Sequence, residues 1–223
     1  MKRIGNNYKN VIESLMCLFT SDNGDVKVLL TRKKTEPYKG YWCLPNDTVS
    51  IEETIEENVM KMMSEQYQYT NFYYAQSGTF SRLDRDPENR IVGVSFLGLI
   101  DSVHALILHP EIDDIDEVSW FPINTLPKIG YDHEEIIQNA LSNLQKELTN
   151  IDLLKRWFPG DFTLPEMQKV YEQILGHHLD KRNFRKKFMN LNVIEETGEK
   201  TEGQGRPAVL YRFKEDAKKE EIF

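Results

Sequence analysis

Residues 162–213 carry the pattern that most constrains the fold: two helix signals, a short turn between them and a glycine-rich hairpin. Thr163 and Glu166 have the spacing of a capping box, and Pro165 lies early in the first turn, where proline favours a helix start. Gly176 ends this helix. Its apolar residues recur at the spacing of one helical face, at Met167, Val170, Tyr171 and Ile174.

The second helix signal begins at Asp180, a residue type that caps helices well. At 100° per residue, Phe184, Phe188 and Leu191 fall within about 40° of one direction. The opposite face holds Arg182, Arg185, Lys186 and Met189. An apolar inner face and a cationic outer face, after a helix and a short turn, predict a helix-turn-helix.

Two strand-like runs follow, 193–197 and 208–213, around the loop GEKTEGQGRP. Gly198, Gly203 and Gly205 permit the positive φ that the tip of such a hairpin needs. The order of helix, turn, basic helix and hairpin predicts a winged helix-turn-helix, and double-stranded DNA is the partner that this arrangement favours. The alternative is a solvated basic helix beside a β-hairpin.

DNA affinity is expected from phosphate contacts, and sequence readout from the start of the second helix, because Arg matches guanine and Asn matches adenine in the major groove. So small a module usually reads its half-site as part of a dimer. The predicted DNA-binding set is Lys181, Arg182, Asn183, Arg185, Lys186, Lys187, Lys200 and Arg206, with Lys186, Lys187 and Arg206 on phosphates and Arg182, Asn183 and Arg185 on bases.

The charge is unevenly distributed and supports two domains. Residues 1–150 hold 14 Lys and Arg against 23 Asp and Glu, whereas residues 151–223 hold 14 against 13. Between them, residues 149–161 form a short amphipathic piece that ends at Pro159-Gly160, which breaks a helix. We predict a first domain over 1–150, a linker over 151–161 and the winged helix over 162–223.

The first domain reads as a mixture of strands and helices. Apolar runs at 11–20 and 26–32 flank Asn-Gly, a strong hairpin signal, and further strands are predicted at 41–45, 72–80, 90–100 and 117–123. A Ser50–Glu53 capping box predicts a helix to about Gln66, and Asp132 with Glu135 predicts another to about Leu148. The fold class is α+β: a mixed α/β/α sandwich, followed by the winged helix.

The segment 47–69 resembles the Nudix box in its spacing, G-x5-E-x7-R-E-U-x-E-E-x-G-U. Glu53 stands at the first Glu, Lys61 at Arg, and Met62, Glu65 and Gln66 at the three Glu that cluster within about 100° on a helical wheel. In a Nudix hydrolase that face holds Mg²⁺, which requires hard oxygen ligands. With Met and Gln at two of the three positions, we predict no catalytic residues, no metal and no cofactor.

The whole chain resembles the Nudix-related transcriptional regulators of the NrtR/AraR type. The resemblance rests on D-R-D-P-x-x-R-x-V from Asp84, FTL from Phe162, D-K-R-N-F-R-K-K from Asp180, and G-R-P-A-x-L-Y-x-F in the wing. It implies a homodimeric bacterial repressor whose Nudix-like domain binds a small effector and thereby releases DNA. The known effectors are ADP-ribose in one branch and a pentose in another; a sugar phosphate is a further candidate.

Candidate effector-binding residues are Arg32, Trp42, Arg82, Arg85 and Arg90, with Lys33 nearby. Alternatively, Arg85 and Arg90 pair with acids of their own loop, at 84, 86 and 88, and Trp42 belongs to the core. The acidic domain favours a neutral sugar over a diphosphate.

Cys17 and Cys43 lie in apolar runs and predict buried, reduced thiols. No 18-residue apolar run and no signal-peptide pattern is present, so we expect a cytoplasmic protein without membrane contact. Two other functions stay open: a Mg²⁺-dependent Nudix pyrophosphohydrolase acting on a nucleoside diphosphate derivative, and a protein-binding adaptor that docks through the winged helix.

Overall fold

The computed structural model describes residues 10–105, 115–201, 207–215 and 217. The first part of the chain forms a seven-stranded sheet. Its strands are β1 (Val11–Asp22), β2 (Asp25–Lys33), β3 (Trp42–Cys43), β4 (Asn46–Thr48), β5 (Tyr73–Phe80), β6 (Ile91–Leu99) and β7 (Ile115–Pro122). β1 and β6 pair in parallel at the centre, and the other pairings are antiparallel. The predicted Asn-Gly hairpin joins β1 and β2, with Asn23 and Gly24 both at positive φ.

Two helices, α1 (Ile55–Glu65) and α2 (His133–Glu147), cover the two faces of this sheet. Side chains of a strand alternate between faces, and β1 shows the consequence. Leu15, Cys17 and Phe19 join the apolar cluster of α2, whereas Met16 and Leu18 join the cluster of α1. The predicted mixed α/β/α sandwich is confirmed. Both cysteines are free and buried.

The first helix begins later than predicted. The sequence holds two boxes in series, and the helix uses the second: Thr54 accepts from the Glu57 amide, and the Glu57 carboxylate accepts from the Thr54 amide. The expected box at Ser50 folds as a turn, in which the Ser50 amide donates to Glu53 Oε1 at 2.9 Å. Glu53 also accepts from Asn58 at 3.0 Å, which holds this turn against the helix.

The winged helix is formed as the pattern predicts. It comprises α4 (Leu164–Leu175), α5 (Lys181–Leu191), β9 (Ile194–Lys200) and β10 (Val209–Phe213), together with an unpredicted short strand, β8 (Phe162–Thr163), that pairs with β10. The Thr163 capping box, the Gly176 stop at φ 73° and the Asp180 cap are all present. Met189, expected on the outer face, instead packs against the core. Gly203, Gly205 and Arg206 lie outside the described residues.

The segment predicted as a linker is packed into the core. Residues 151–157 form helix α3 (Ile151–Trp157), whose side chains Ile151, Leu154 and Trp157 are buried. One apolar cluster runs without interruption from the α2 face of the sheet through α3 into α4 and α5. Most of this connection is therefore part of the apolar core, and burial of its side chains stabilises the two sides together. No helix among the described residues is long and apolar enough to span a membrane.

Candidate functional sites

The helix that corresponds to the Nudix box lacks a metal-binding face. Met62 is 1% exposed and belongs to the apolar cluster between α1 and the sheet. Glu65 is exposed, and the Gln66 side-chain amide donates to Asp47 at 3.4 Å. Among the described residues, no group of three His, Cys, Asp or Glu is placed to hold a metal. A buried thioether and a neutral amide at two of three ligand positions do not fit Mg²⁺.

The other charged positions of the box serve the local structure. Lys61 Nζ lies 4.0 Å from Glu53, so the two form a weak ion pair at the surface of α1. Hydrogen bonds lower the pKa of Glu53, the Ser50 amide contributing most and the Asn58 side chain next. Glu53 is thereby a fixed carboxylate that holds the turn before α1.

Arg85 is the centre of a buried ion network. It is 3% exposed; its Nη1 donates to Glu13 at 2.6 Å, and its Nε and Nη2 donate to the two Asp132 oxygens at 3.0 and 3.1 Å. Gly93 leaves the space for it, since a Cβ at that position would lie 2.8 Å from Arg85 Nη2. This corrects the expectation that Arg85 pairs with the acids of its own loop. It also explains why Asp132 makes no side-chain cap at the start of α2.

Burial raises the pKa of Glu13, whereas pairing with Arg85 lowers it. Removal from water is the largest influence and raises the pKa of Glu13; the charge and hydrogen bond of Arg85 lower it, the charges of Asp132 and Asp86 raise it, and the net shift is upward. The Arg85 pKa is also raised, although burial alone would lower it, because hydrogen bonds and charges of the two carboxylates favour the cation. The network connects β1, the loop 81–90 and the start of α2.

The side chain of His133, the first residue of α2, connects the start of this helix to the segment that follows β3. The Leu44 amide donates to His133 Nδ1 at 3.0 Å. Burial lowers the pKa of His133 to about 3, helped by the positive charges of Arg85 and Lys33. The imidazole is therefore neutral at physiological pH, as its acceptor role at Nδ1 requires.

The remaining predicted effector residues lie in different settings. Arg32 is half-buried and pairs with Asp116 at 3.8 Å and Glu117 at 3.6 Å. Arg82 is exposed, near Asp84 and Glu135, and Arg90 Nη1 donates to the backbone carbonyls of residues 81, 82 and 91 rather than to loop acids. Trp42 is partly buried, with its ring 4.5 Å from that of Phe121. Their roles towards an effector stay predictions.

Sequence reasoning missed two parts of this region. Glu13 and Asp132 were not recognised as partners of Arg85, because they lie 72 and 47 residues from it in the chain. A tyrosine-rich surface formed by the segments before β3 and α2 was also missed. The signal that could have identified it is the run R-K-K-T-E-P-Y-K-G-Y from Arg32, which alternates cations and aromatics.

The outer face of α5 carries exposed basic side chains. Asp180 accepts from the Asn183 amide at 2.8 Å and so sets the first turn of the helix. Phe184 and Phe188 are buried, which turns the intervening basic residues outwards. The predicted DNA-binding residues that are exposed are Lys181, Arg182, Asn183, Arg185, Lys186 and Lys200. Lys187 is half-buried, and burial lowers its pKa; Arg206 lies outside the described residues.

Arg185 is held in place by the wing strands. Its Nη2 lies 3.7 Å from Glu196 of β9, and its guanidinium lies 5.9 Å from the centroid of the Tyr211 ring in β10. The Tyr211 hydroxyl in turn donates to Glu196 at 3.0 Å. These contacts orient Arg185 at the surface and reduce the side-chain entropy that it would lose on binding a ligand.

Helix α4 joins the basic surface to the sheet domain. Its Gln173 side chain donates to the Gly24 carbonyl at 2.6 Å and accepts from the Val26 amide at 3.2 Å. The buried Tyr171 hydroxyl donates to the Leu148 carbonyl at 2.7 Å. Lys169 pairs with Asp25 at 2.8 Å. Fold and sites together define a Nudix-type domain, with Met62 and Gln66 at two positions of the box, packed against a winged helix with an exposed basic helix.

Comparisons with known proteins identify the same two modules. The family model described as "NUDIX domain" matches residues 13–140, and that described as "NrtR DNA-binding winged helix domain" matches residues 156–213. The chain is 30% identical over 204 residues to the "ADPR responsive transcriptional repressor NtrR" of Acinetobacter baylyi, covering 89% of this chain and 80% of that protein.

A second relative is an "ADP-ribose pyrophosphatase" of Methanocaldococcus jannaschii, 33% identical over 117 residues, which are 52% of this chain and 67% of that protein. Among solved structures, Shewanella oneidensis NrtR in complex with a 27mer DNA superposes with a TM-score of 0.72 at 27% identity, covering 92% of this chain and 94% of that one. The chain belongs to the NrtR family of Nudix-related transcriptional regulators.

Proposed function

We propose that this protein is a homodimeric cytoplasmic repressor that binds a two-fold-symmetric DNA operator through α5 and the wing, and that ADP-ribose releases it. The observation that carries the proposal is the exposed cationic face of α5 on a winged helix of the NrtR type. The similarity to an ADPR-responsive repressor, over 89% of this chain, supports both halves of the proposal, the DNA and the effector.

The DNA contacts follow from the exposure of the basic residues. Arg182 and Asn183 occupy the first turn of α5, the part of a recognition helix that contacts base edges. The exposed Lys186 and Lys200 are assigned to phosphates, and such contacts make binding strongly salt-dependent. Arg185, oriented by Glu196, is the third reader of bases.

ADP-ribose is the effector that the relatives favour. The two related proteins named above carry ADP-ribose in their names, one as the signal of a repressor and the other as the substrate of a pyrophosphatase. This argues against the neutral sugar that the acidic composition of the domain favoured. An effector shifts the protein away from DNA only if it binds the released form more tightly.

We further propose that the domain does not hydrolyse ADP-ribose. Met62 and Gln66 cannot supply the oxyanion ligands of a Mg²⁺ ion, and Glu65 alone is exposed on that face. The Nudix fold is then used for binding only. Mg²⁺-dependent turnover of ADP-ribose that Glu65→Gln abolishes would contradict this part of the proposal.

The experiment is a fluorescence-anisotropy titration of the protein with DNA from its own promoter at about 50 mM salt, where phosphate contacts are strongest. Arg182→Ala is expected to weaken binding by about 1–3 kcal/mol, as for loss of a bidentate base contact. Arg156→Ala on α3, an exposed arginine away from α5, is the matched control and is expected to bind as the wild type does.

Addition of ADP-ribose to the wild-type complex is expected to restore the anisotropy of free DNA. Absence of any DNA binding would refute the repressor assignment and would favour the adaptor alternative. Binding that ADP-ribose does not change would refute the effector but leave the DNA-binding function in place.

A further inference from the structure

An acidic side chain of the wing contacts the basic face of α5. Glu196 of β9 is exposed, and its Oε1 lies 3.7 Å from Nη2 of Arg185. The Tyr211 hydroxyl of β10 donates to the same oxygen at 3.0 Å. A carboxylate repels DNA phosphates, so at this position it lowers the affinity that the neighbouring bases provide. Affinity for the DNA backbone therefore does not account for Glu196.

The pairing of the two wing strands brings Glu196 to the helix side of the wing. Glu196 lies directly opposite Tyr211 in the antiparallel pair, so both side chains lie on the same face of the sheet. Tyr211 is 1% exposed and belongs to the apolar cluster that includes α5, which identifies this face as the packed one. The next pair, Glu195 and Arg212, lies on the opposite face and is exposed. The register of the wing therefore sets the contact between Glu196 and Arg185.

Tyr211 holds the carboxylate of Glu196 in place. Burial is the main reason that the pKa of Tyr211 is raised; the hydrogen bond to Glu196 raises it further, and Arg185 lowers it. Because the net shift is upward, the phenol keeps its proton and remains a donor to Glu196. The Arg185 guanidinium lies 5.9 Å from the centroid of the same ring, within the range of a cation–π contact. One contact with the carboxylate and one with the ring therefore restrict Arg185.

Arg185 differs from the other bases on the outer face of α5. Lys181, Arg182 and Lys186 form no salt bridge with a described carboxylate, whereas Arg185 does. The carboxylate beside the Arg185 guanidinium cancels part of its attraction for phosphate. The Arg185 side chain is nevertheless 57% exposed, so its planar fork of donors can still reach a ligand. A restricted fork of reduced charge suits a base edge, where direction decides, better than a phosphate, where charge decides.

We infer that Glu196 is a specificity-determining residue that acts through Arg185, by holding its guanidinium on a guanine edge and away from neighbouring phosphates. The inference rests on the proposed function and states how the wing takes part in sequence readout. An unrestrained arginine contacts phosphates of any sequence, whereas an oriented arginine gains most at the base whose two acceptors match its fork. Glu196 then lowers the affinity for all DNA and raises the preference for one base pair.

The test is selection of binding sites from a pool of random-sequence duplexes by the full-length protein and its variants, followed by sequencing of the bound DNA. The wild type is expected to prefer guanine at a half-site position that Arg185→Ala no longer selects. Glu196→Gln keeps the size of the side chain and removes its charge. It is expected to weaken the preference at that same position and to leave in place the preferences that Arg182→Ala removes.

Fluorescence-anisotropy titrations measure the size of the effect. The measured quantity is the discrimination ratio: the Kd for the selected duplex with that guanine exchanged for adenine, divided by the Kd for the selected duplex itself. Glu196→Gln is expected to reduce this ratio by about two- to fivefold, the contribution of an exposed ion pair. The same variant is expected to bind a duplex of unrelated sequence at least as tightly as the wild type does. Tyr211→Phe removes only the hydroxyl and is expected to change the ratio in the same direction.

Glu199→Gln is the matched control. Glu199 is an exposed acid of the same strand, and none of the salt bridges among the described residues includes it. The control removes the same charge from β9 and is expected to leave the discrimination ratio unchanged. The double variant of Arg185→Ala and Glu196→Gln separates positioning from charge, because it should have the ratio of Arg185→Ala alone. Thermal melting shows which variants fold, and Glu196→Gln decides the inference if Tyr211→Phe does not.

The outcomes separate this inference from the proposed function. If the wild type selects a two-fold-symmetric site but Glu196→Gln keeps its discrimination ratio, the inference is overturned and the function stands. A loss of discrimination that Glu196→Gln also causes in the Arg185→Ala background overturns the inference, since Glu196 then acts without Arg185. If the ratio depends on both residues but ADP-ribose does not release DNA, the effector assignment fails and the inference stands. Selection of no sequence by the wild type overturns both.

Discussion

Replacing Arg85 with methionine removes the only cation that contacts two buried carboxylates in the described structure. The methionine side chain fills the space of the arginine stem, so the change removes the charge and its three hydrogen bonds with little loss of packing. Glu13 and Asp132 then face each other in a region where their side chains are 10% and 2% exposed.

The expected loss in the free energy of unfolding follows from the burial of these two carboxylates. Loss of one partner from a buried ion pair destabilises a protein by about 3–5 kcal/mol, because the remaining charge cannot recover its hydration. Here two carboxylates remain, so we expect the upper part of this range at pH 7.5. A domain of ordinary stability has about 5–15 kcal/mol in total, so the variant should fold but with a much reduced margin.

Equilibrium urea unfolding, followed by tryptophan fluorescence, measures the loss. The matched control is Arg82→Met, which lies in the same loop but is 58% exposed and pairs with acids that are 80% and 54% exposed. Such surface pairs contribute about 0–1 kcal/mol, so the control should be close to the wild type. The measured quantity is the difference in the free energy of unfolding between the two variants.

The pH dependence of the free energy of unfolding provides a second test of the Arg85 network. The pKa of Glu13 is already raised in the folded protein, and loss of Arg85 raises it further, so the folded state takes up a proton more readily than the unfolded state. The deficit of Arg85→Met relative to the wild type should therefore shrink as the pH falls from 7.5 towards 5. Equal stability of Arg85→Met and Arg82→Met at pH 7.5, or a deficit that grows on acidification, would refute the assigned network.

Three further predictions follow from buried groups. Since burial lowers the pKa of His133 to about 3, from the usual value of about 6.5, this group should contribute a loss of about 1.4 kcal/mol of stability per unit as the pH falls between these values. Urea unfolding of the wild type and of His133→Gln at pH 6.5 and 5 isolates this contribution, and stability should fall less in the variant. Met62→Glu restores a carboxylate of the Nudix box at a position that is 1% exposed, so the variant should have a lower melting temperature and no Mg²⁺-dependent turnover. Mg²⁺-dependent turnover of ADP-ribose by this variant would contradict the proposal that the box does not bind metal. Trp157→Ala should cost about 3–5 kcal/mol and lower a single calorimetric transition shared by sheet domain and winged helix; two separate transitions in the wild type would argue against the shared core.

Much of the winged helix was predictable because its signals are local. The Thr163 box, the glycine at 176 and the Asp180 cap each act within four residues, and the structure contains all three. The inner face of α4 was likewise readable from its period of 3.6 residues. In the sheet domain both helices and six of the seven strands were predicted, and the short strand β4 was missed. The start of α1 was misplaced, since two capping boxes follow one another and the sequence does not show that the helix uses the second, after which Asn58 and Val59 are buried.

The segment 151–161 shows what the sequence does not reveal about the connection between the domains. Its Pro159-Gly160 pair does end a helix, and the sequence pattern therefore indicates a break in the chain. The pattern does not reveal that Ile151, Leu154 and Trp157 face the same apolar cluster as α2 and α4. Under the proposed function, an effector signal would pass through these packed helices, since the helical residues of the connection contribute to the shared apolar cluster.

The sequence alone determined two features: the winged helix with its basic face, and a Nudix box with Met62 and Gln66 at ligand positions. Helix periodicity, capping and ligand chemistry depend on residues that are close in the chain. The tertiary structure decided which charges are available for function. Arg85, an effector candidate by sequence, is enclosed by Glu13 and Asp132 from distant segments, whereas Lys33 and Lys128 lie beside partly exposed tyrosines. Burial and long-range pairing set the free energy of a charge, and neither is encoded in local spacing.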